Sequence, residues 1–598
     1  MSDDQKLSPV EGFKSQSNLL RGVIGHELVD GQEHFGKSSE QLLKHHGTYQ
    51  QDDRDHRAQA RTAGSGKSAK SYIFMVRTRV PGGKLTSDQL LAELDLCDEL
   101  GNATLRCTSR QGLQLHGVVK DDLKQVIRRI NQVQLTTLAA CGDVERNIMC
   151  CPAPHHNDPV HAELQALADR LAEHLAPRTR AYHEIWLKDL ESGDEEWVAG
   201  GPNGHEVEPI YGSTYLPRKF KTAIGLPGDN CVDLYANDLG LMAICENFGV
   251  VGYNVLVGGG MGVTPSAKKT FPAVAQRMAF VRPDQVVDVA TEIIKVQRDF
   301  GNRSDRKVAR LKYLLADWGV EKFKAKVEEY YGRKLPPPHP DDVRGFDDHL
   351  GWREQGDGRW FYGLNIENGR IHDRDDFRLK TAVREICGAH RPNIRLTSHQ
   401  SVLFTDLAPE ARDDVEQILK RRGVKLSHEI SNARRWSMAC VAWPTCGLSI
   451  TEAERALPGV IDELEVELAK LGLSGERFTI RMTGCPNGCA RPYNSDIGLV
   501  GKAAGKYTIF AGGRLLGDRL NFIFKDMVPA EELISSLLPL FIYFKHERLP
   551  DETLGDFCHR KGAEDLVAWT TRYDAHVGGN GNGVAVAVGG AAGTLQRG

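Results

Sequence analysis

The stretch LRCTSRQGLQLHGV, from Leu105 to Val118, recurs in the second half of the chain as IRLTSHQSVLFTDL, from Ile394 to Leu407. Each copy follows a strand, a glycine turn and a helical stretch, which read VRTRVPGGKLTSDQLLAELDLCDEL in one half and LNIENGRIHDRDDFRLKTAVREIC in the other. Internal similarity of this kind marks a repeated structural unit. The sequence therefore predicts a tandem duplication whose halves are related by a pseudo-twofold axis.

The correspondence continues beyond this repeat. RKFKTAI (218–224) resembles ERFTIRM (476–482), and YNVLVGGGMG (253–262) resembles YTIFAGGRLLG (507–517). The cysteines also keep similar distances from the repeat. In the first half Cys150 lies 44 positions after Arg106, and in the second half Cys440 lies 45 positions after Arg395. Each half is predicted to be strand–helix–strand, then a helix, then a second strand-rich unit, which gives an α+β fold.

Four cysteines of the second half form two pairs, Cys440 and Cys446 in CVAWPTC and Cys485 and Cys489 in CPNGC. Glycine, proline, threonine and asparagine surround them, so turns are predicted to present the sulfurs. Four thiolates suit zinc or an iron–sulfur cluster. The C-x5-C spacing lies outside the usual zinc knuckle and favours a cluster, although zinc and a set of buried structural thiols remain as alternatives.

The other nine cysteines show no paired design in the sequence. An odd total of 13 in 598 residues, without an apolar segment near the first residues, disfavours a disulfide framework and favours a reducing cytoplasm. No apolar run reaches the roughly 18 residues of a spanning helix. The net charge of -4 argues against a general nucleic-acid binder.

Basic residues interrupt several short apolar stretches of the first half. FMVRTRVPGG and YLPRKFKTAI alternate apolar and basic residues, so a strand would direct Lys219 and Lys221 to one face and Phe220 to the other. One such strand fits the polar outer face of a sheet. Several in one half favour a pocket for a small anion or an anionic cofactor. The residues concerned are Arg77, Arg106, Arg110, Arg146, Arg218, Lys219 and Lys221.

The glycine-rich segment VGGGMG (257–262) does not match the dinucleotide fingerprint G-x-G-x-x-G, and the following VTPSAKKTFP does not begin a clean helix. Two interpretations remain, a turn that lets the backbone approach a flat cofactor and a plain turn between strands. Gly259 and Gly260 are the candidate contact residues.

These residues and motifs resemble the haemoproteins of assimilatory sulfite reductases, relatives of the sirohaem nitrite reductases. The resemblance covers about residues 15 to 570, through HGTYQQDDRD, TSRQGLQLHG, RNIMC, YLPRKFKTAI, LVGGGMG, NRSDRK, CVAWPTC and TGCPNGC. It implies a six-electron reduction of sulfite to sulfide at a sirohaem bridged to a [4Fe–4S] cluster. Reduction of nitrite to ammonia is the near alternative. A zinc-stabilised binding protein and a non-catalytic sirohaem carrier are the distant ones.

The resemblance also implies roles for individual residues. Cys440, Cys446, Cys485 and Cys489 would hold the cluster, and Cys489 would bridge to the sirohaem iron. Arg77, Arg146, Lys219 and Lys221 would surround the bound anion as catalytic residues. The eight carboxylates of sirohaem and its ring would be held by Arg106, Arg110, Gln114, His116, Arg218, Gly259, Gly260, Arg303, Arg306 and Lys307.

An electron-donor protein is expected because the chain has neither a flavin nor a nicotinamide motif. EPIYGSTYLPRKFK and RLKYLLADWGVEKFKAKVEEYYGRKL resemble the ferredoxin-dependent branch, whereas YQQDDRD resembles the branch paired with an NADPH flavoprotein. Ferredoxin is the favoured donor. No membrane or nucleic-acid partner is expected.

The domain prediction follows from the repeat and the resemblance. It comprises an extended N-terminal arm over the second half (1–65), two paired ferredoxin-like half-domains (66–140 and 345–430), a first sirohaem-binding α+β domain (141–344), a cluster- and sirohaem-binding α+β domain (431–573) and a disordered Gly/Ala-rich tail (574–598).

Overall fold

A computed structural model of the chain describes residues 6–62, 70–182, 185–188, 195–199, 207–265 and 267–579. The N-terminal segment forms helices and one strand: α1 (Pro9–Ser15), α2 (Ile24–Glu27), α3 (Lys37–Leu43), β1 (Thr48–Asp52) and α4 (Arg54–Thr62). Leu20, Leu42 and Leu43 of this segment are buried in the main hydrophobic core, which the first half shares with residues 362–426 of the second half. The segment therefore differs from the predicted extended arm in being mostly helical. Its strand β1 pairs with residues 72–76 of the first half, and Arg54 near its end reaches the second half.

The first half continues with two units. A small ferredoxin-like unit contains β2 (Tyr72–Thr78), β3 (Lys84–Leu85), α5 (Ser87–Glu99), β4 (Leu105–Cys107), β5 (Leu113–Val118) and α6 (Leu123–Gln132). A larger unit contains β6 (Met149–Cys150), α7 (Pro159–His174), β7 (Ile185–Lys188), β8 (Glu195–Ala199), β9 (Thr222–Gly225), β10 (Leu239–Glu246), β11 (Gly249–Val257), β12 (Gln276–Val281), α8 (Val286–Phe300), α9 (Leu311–Trp318) and α10 (Val320–Tyr331).

The second half repeats this order. Its small unit contains β13 (Gly351–Glu354), β14 (Trp360–Leu364), β15 (Arg370–Ile371), β16 (Asp373–Arg374), β17 (Phe377–Arg378), α11 (Leu379–His390), β18 (Asn393–Leu396), β19 (Val402–Leu407) and α12 (Ala411–Arg421). Its larger unit contains α13 (Asn432–Arg435), β20 (Ser437–Ala439), α14 (Leu457–Leu471), β21 (Ile480–Thr483), β22 (Ile497–Ala503), β23 (Lys506–Ala511), β24 (Phe522–Pro529), α15 (Leu533–Glu547) and α16 (Leu554–Gly579).

Four five-stranded sheets express the duplication. The small units have the orders β1-β2-β5-β4-β15 and β13-β14-β19-β18-β3, so each receives its last strand from the other half. The larger units have the orders β12-β11-β10-β9-β6 and β24-β23-β22-β21-β20. In both, the first three strands along the chain are parallel and the last two antiparallel. The reciprocal exchange of β3 and β15 fastens the halves together.

Equivalent side chains confirm the relation between the halves. The buried amide of Gln111 donates to the carbonyl of Cys150 at 2.7 Å, and that of Gln400 donates to the carbonyl of Ala439 at 3.0 Å. Both glutamines have positive φ. These bonds hold the tip of each repeated hairpin against the end of a parallel strand, which is where the candidate site lies.

Local signals explain the helix boundaries. The Thr86 hydroxyl accepts from the backbone of Gln89 while the Gln89 side chain accepts from the backbone of Thr86, a reciprocal cap that starts α5. Asp158 caps α7 in front of a proline. Within the described part of the chain, none of the helices has both the length and the hydropathy of a transmembrane span.

The last helix, α16, continues to Gly579 with a break in helical geometry at Gly562. The predicted disordered tail began at residue 574. From residue 580 onward it lies outside the described residues.

Candidate functional site

The four cysteines of the second half lie where two parallel strands end. Cys440 directly follows β20, and Cys485 follows β21 by two residues. Cys485 is buried, Cys440 and Cys446 are half-buried, and Cys489 is exposed. Parallel strands end at the same edge of a sheet, so the loops carrying the two cysteine pairs meet there.

The four thiols act on one another electrostatically. Burial and then Cys489 raise the pKa of Cys440 well above its usual value, and the same two causes raise the pKa of Cys485 to about 11. Burial, followed by Cys489, also raises the pKa of Cys446. Four thiolates therefore require nearby positive charge, which a metal centre supplies.

The distances between the sulfur atoms distinguish a single zinc ion from an iron–sulfur cluster as the group that these cysteines could bind. Around one zinc ion, sulfur ligands at about 2.3 Å lie roughly 3.8 Å apart. Among the described residues, these cysteines do not form a group of three or more ligand atoms within 4.8 Å of one another. An iron–sulfur cluster, whose thiolates bind separate iron atoms, fits this wider arrangement.

Backbone and side-chain hydrogen-bond donors orient the sulfur atoms of these loops. The backbone N–H of Gly484 donates to the Cys440 sulfur at 3.4 Å, and the Asn487 amide donates to the Cys485 sulfur at 3.4 Å. Gly488 has a φ of 63°, and a Cβ there would lie 2.7 Å from the Met261 carbonyl oxygen. Only glycine fits this close approach of the two halves.

The N-terminal segment also reaches the cysteine loops. The Arg54 guanidinium donates to the carbonyls of Pro444 at 2.8 Å, Ser449 at 2.9 Å and Cys446 at 2.5 Å, and it lies 3.8 Å from the ring centre of Trp443. Sequence reasoning missed Arg54. Its one signal is the position of Arg54 inside the quoted motif HGTYQQDDRD.

A cluster of cations from the first half faces this edge. The pKa of Lys219 lies well below its usual value because of burial and then Arg146, Arg218 and Arg310, while the charge of Cys489 opposes the shift. Cys489 and Lys219 are therefore within electrostatic reach of each other. The structure thus brings the exposed cysteine of one half to the predicted anion-binding residues of the other.

Lys221 belongs to the same cluster. Its pKa is also well below the usual value, because of burial and then Arg110, Lys219 and further cations. Burial lowers the pKa of Arg110 to about 9. Because the ammonium groups repel the surrounding guanidinium groups, the cluster favours an added anion.

Tyr49 and Cys141 interact with Arg77 and Arg146, the other two predicted catalytic residues. Arg77 donates to the Cys141 sulfur at 2.6 Å and lies 5.9 Å from the Tyr49 ring centre. Burial alone would lower the pKa of Arg146, but Tyr49 and Cys141 raise it. Tyr49 and Cys141 are therefore further residues of the site, absent from the sequence prediction.

Most cations of this cluster have no carboxylate partner among the described residues; Arg310, which pairs with Asp238, is the exception. Within the described residues, no ion pair is formed by any of six side chains, which are Arg77, Arg110, Arg146, Arg218, Lys219 and Lys221. In a chain of net charge -4, such a group is unusual. It fits a polyanionic cofactor and a small anion together, because charges that are partly removed from water are normally paired.

Three other predicted cofactor-binding arginines are already engaged within the protein. Arg106 pairs with Glu454 at 2.7 Å and also donates to Gln114 and to the Ala439 carbonyl. Arg303 pairs with Glu11, and Arg306 pairs with Asp143 at 2.7 Å. Lys307 is exposed and forms no ion pair among the described residues.

His116 is buried beside this Arg106 network. Burial and then Arg370 and Arg106 lower its pKa well below the usual value, so its imidazole is neutral. Arg370 lies 3.3 Å from His116 Nδ1, whereas Nε2 has no hydrogen-bond partner in the described part of the chain. The unpartnered nitrogen is free to serve a bound group.

The two predicted glycines lie where neighbouring atoms leave no room for a side chain. A Cβ at Gly259 would lie 2.2 Å from the Tyr235 carbonyl oxygen, and one at Gly260 would lie 2.3 Å from the Arg310 guanidinium. Arg310 in turn pairs with Asp238 at 2.6 Å. The glycines let this loop run directly beside the cation cluster. No helix follows until α8, which disfavours a dinucleotide site.

A buried ion triad joins the two halves beneath the site. Asp233 is fully buried and pairs with Arg481 at 2.8 Å and with Arg491. Burial opposes ionisation of Asp233, but the two guanidinium groups hold its pKa at about 2. Arg491 also donates to the Ser109 carbonyl at 2.9 Å, and the Ser109 hydroxyl donates to the Cys489 carbonyl at 3.1 Å.

Comparison with known proteins adds two family matches. The description "Nitrite and sulphite reductase 4Fe-4S domain" matches residues 167–335 and 431–598, and "Nitrite/Sulfite reductase ferredoxin-like half domain" matches residues 67–133 and 353–422. Each family is matched twice, once in each half, as the internal duplication predicts.

Full-length relatives are also found. The chain is 43% identical to a sulfite reductase [NADPH] hemoprotein beta-component of Staphylococcus saprophyticus, over 94% of this chain and 97% of the relative. It is 45% identical to that of Myxococcus xanthus (93% and 97%) and 42% identical to a sulfite reductase [ferredoxin] of Synechococcus elongatus (95% and 92%). The solved structure of the Mycobacterium tuberculosis NirA protein superposes with a TM-score of 0.77 at 25% identity, covering 94% of this chain and 98% of that one.

Proposed function

Because the chain belongs to the nitrite and sulphite reductase family, we propose that a ferredoxin supplies the six electrons with which it reduces sulfite to sulfide. The chain uses sirohaem and a [4Fe–4S] cluster as cofactors. When bound, these groups store electrons and pass them to the sulfur atom of the substrate. The observation that supports this function best is the unpaired cation cluster beside Cys489.

Cysteine ligation is the first task of the chain. Cys440, Cys446, Cys485 and Cys489 would hold the cluster, and Cys489 would also reach the sirohaem iron. The exposure of Cys489 and its proximity to Lys219 support that shared role. Arg110 and Arg218, which have no carboxylate partner among the described residues, would neutralise sirohaem carboxylates. Arg106 would support the cluster loop, since it donates to the Ala439 carbonyl next to Cys440.

Anion binding is the second task. Guanidinium groups remain protonated at neutral pH and form paired hydrogen bonds to oxyanions, so Arg77 and Arg146 would orient sulfite. The Cys141 and Tyr49 contacts hold both side chains in place. A doubly charged anion also relieves the repulsion within the cluster.

Proton supply is the third task, because removing the oxygens of sulfite as water consumes protons. Lys219 and Lys221 have lowered pKa values, so their ammonium groups give up protons more readily than ordinary lysines. Neither side chain has a carboxylate or hydrogen-bond partner among the described residues that would hold its proton. Both lysines would therefore donate protons to the departing oxygens.

Electron delivery would take place at the surface beside Cys446. Leu448 is 70% exposed there. The backbone N–H of Gly505 donates to the Thr451 hydroxyl at 3.2 Å, which places the β22–β23 turn next to this loop. The exposed Lys502, which lies 3.6 Å from Asp526, and the exposed Lys506 flank that turn. An exposed apolar side chain beside two lysines suits the docking of a small acidic redox protein.

Substrate and donor can be tested in one anaerobic assay of the coloured, purified protein. Sulfite and nitrite are compared, each with reduced ferredoxin and with NADPH plus a flavoprotein. We expect the highest kcat/KM for sulfite with ferredoxin. A higher kcat/KM for nitrite would support the alternative function that the family description also includes. Higher efficiency with the flavoprotein would refute the ferredoxin assignment alone.

The docking surface can be tested by reversing its charge. In Lys502→Glu/Lys506→Glu, kcat/KM with ferredoxin should fall and lose its salt dependence, because steering depends on charge. Activity with a small reduced viologen dye should not change. Lys124→Glu, at an exposed lysine of α6 in the first half that forms no ion pair among the described residues, is the matched control and should behave as the unmodified protein. An equal fall with the dye would indicate damage to the site instead of loss of docking.

A further inference from the structure

A second group of metal-binding side chains lies in the first half, outside the site described above. The two cysteines of this group show no paired spacing in the sequence. In the described part of the chain, Cys151, Asp229, Cys231 and His349 are the one group of three or more His, Cys, Asp or Glu residues whose ligand atoms all lie within 4.8 Å of one another. The four residues come from three separate segments of the chain.

The strand register shows that Cys151 is the counterpart of Cys440. β6 ends at Cys150 and β20 ends at Ala439, and each of these final residues pairs with the third residue of the next parallel strand. The residue that follows is Cys151 in one sheet and Cys440 in the other. The pairing of Cys150 with Cys440 indicated by the sequence is thus wrong by one residue.

Cys231 is likewise the counterpart of Cys489. Cys231 lies six residues beyond the end of β9, and Cys489 lies six residues beyond the end of β21. After these cysteines both loops pass through one left-handed residue, Asp233 or Arg491, into a short 3-10 turn. Two of the four cluster cysteines are therefore retained in the first half at equivalent backbone positions.

The remaining ligand atoms complete a compact set. The Cys151 sulfur is 3.0 Å from Asp229 Oδ2 and 3.8 Å from His349 Nε2, and Asp229 Oδ2 is 3.1 Å from His349 Nε2. Tetrahedral zinc with sulfur ligands at about 2.3 Å and nitrogen or oxygen ligands at about 2.0 Å requires separations of roughly 3.3 to 3.8 Å. Small side-chain movements would bring all four atoms to these separations.

Neighbouring groups hold the ligands in orientation. Asp229 Oδ1 accepts backbone hydrogen bonds from Cys231 at 3.2 Å and from Asp347 at 3.1 Å, which leaves Oδ2 facing the sulfur. His349 Nδ1 is buried without a hydrogen-bond partner among the residues that the structure describes, and an Asp347 oxygen lies 4.0 Å away. A carboxylate behind a histidine is the usual outer support of a zinc ligand.

The chemistry of the set selects the metal. Two thiols, an imidazole and a carboxylate are typical zinc ligands, and magnesium or calcium would require oxygen ligands throughout. Cys151, Cys231 and His349 are buried, and within the described residues Asp229 has His349 as its one ion-pair partner. A cavity of about 320 Å³ lined by His155, His161 and Asp229 provides an entry path.

We propose that Cys151, Asp229, Cys231 and His349 bind one Zn²⁺ ion, at the position that corresponds to the cluster site of the second half. With four protein ligands the site is structural. The ion would tie the loops after β6 and β9 to the segment that leads from α10 into β13. It would thereby fix the first half to the second ferredoxin-like unit. This proposal does not depend on the substrate or the electron donor.

The test is the metal content of the full-length holoenzyme, purified without a histidine tag and gel-filtered in the presence of a chelator. We expect about one zinc per chain in addition to the cofactor iron. In Cys151→Ser/Cys231→Ser, zinc should fall to near zero while the iron content stays unchanged. Cys245→Ser, an exposed cysteine on the same cavity, should retain the zinc.

X-ray absorption at the zinc edge of the unmodified protein keeps the proposal testable if the double variant fails to fold. Two sulfur ligands at about 2.3 Å and two lighter ligands at about 2.0 Å are expected. Absence of zinc, a first shell without sulfur, or a Cys151–Cys231 disulfide in the purified protein would each overturn the proposal. Unchanged zinc in the double variant would do the same.

Discussion

The loops that follow β9 and β21 have the same length and backbone path but different chemistry. The first contains Pro227, Asp229 and Cys231, and the second contains Cys485 and Cys489. The loop after β21 carries two thiols, which we propose as cluster ligands, whereas the loop after β9 carries a thiol and a carboxylate that belong to the compact group Cys151, Asp229, Cys231 and His349. Under the two proposed assignments, the duplicated fold places a metal centre at the same position in each half, and a few side chains decide which centre is bound.

The strands leading into these loops differ in the same way. Lys219 and Lys221 precede β9, whereas Arg477 and Thr479 occupy the equivalent positions before β21. The lysines are half-buried in the cation cluster, while the Arg477 guanidinium lies 5.6 Å from the Trp436 ring centre. The second half thus carries the candidate cluster thiols and the first half carries the cations, and the proposed reaction would use both.

Breaking the cluster should have the largest effect. In Cys485→Ser, we expect loss of cluster iron and sulfide and a fall of sulfite reduction to background, because one ligand of four is removed. Iron analysis and the anaerobic assay measure both. The equivalent first-half change, Pro227→Ser, should leave iron and activity unchanged. Retention of a full cluster by Cys485→Ser would contradict the ligand assignment.

Removing a proton donor should have the next largest effect. In Lys219→Met, kcat/KM for sulfite should fall by about 10²- to 10⁴-fold, the usual contribution of a positioned general acid. Cofactor content should be preserved, as checked by the visible spectrum. Arg477→Met supplies the matched control from the other half, with no change expected. If both variants lost activity equally, the division of roles between the halves would be wrong.

A substitution at Asp233 should weaken the buried ion pairs that connect the two halves. In Asp233→Asn, the free energy of unfolding should fall by about 3–5 kcal/mol, because Arg481 and Arg491 lose their shared buried partner. Chemical denaturation gives this value. Asp284→Asn, which removes a solvent-exposed ion pair with Arg282, should unfold at the same denaturant concentration as the unmodified protein. A midpoint for Asp233→Asn that matched this control would show that the triad does not fasten the halves.

A smaller, pH-dependent effect is expected at Glu145, a fully buried residue of the first half. Burial raises its pKa to about 7, against 4.5 for an ordinary glutamate. The folded state therefore keeps a proton that the unfolded state releases, and stability should decline as pH rises from about 4.5 to about 7. In Glu145→Gln this decline should be smaller. Denaturation midpoints across the interval measure the difference, and identical slopes would argue against a protonated Glu145.

Much of the site could be predicted from sequence because its signals are local. The spacing of Cys440, Cys446, Cys485 and Cys489 favoured a cluster, and the alternation around Lys219 and Lys221 favoured an anion pocket. Arg106 shows the limit of such reasoning. It lies in a family motif, but its charge is compensated by Glu454, 348 residues away.

The proposed zinc ligands show the limit of prediction from sequence more strongly. Cys151, Cys231 and His349 carry no recognisable spacing, since 80 and 118 residues separate them in turn. Their counterparts Cys440 and Cys489 were visible because each has a neighbouring cysteine a few positions away. A ligand set drawn from single residues becomes apparent only when strands are paired in register.

By itself, the sequence determined the duplication, the α+β class and the four cysteines as a group, because each depends on residues close together or on comparison of the chain with itself. The tertiary structure decided which charges remain unpaired around Cys489, how Asp233 joins the halves, and that Cys151, Asp229, Cys231 and His349 meet. The physical reason is that burial and pairing of charges depend on side chains far apart in the chain, whose contacts are set by packing.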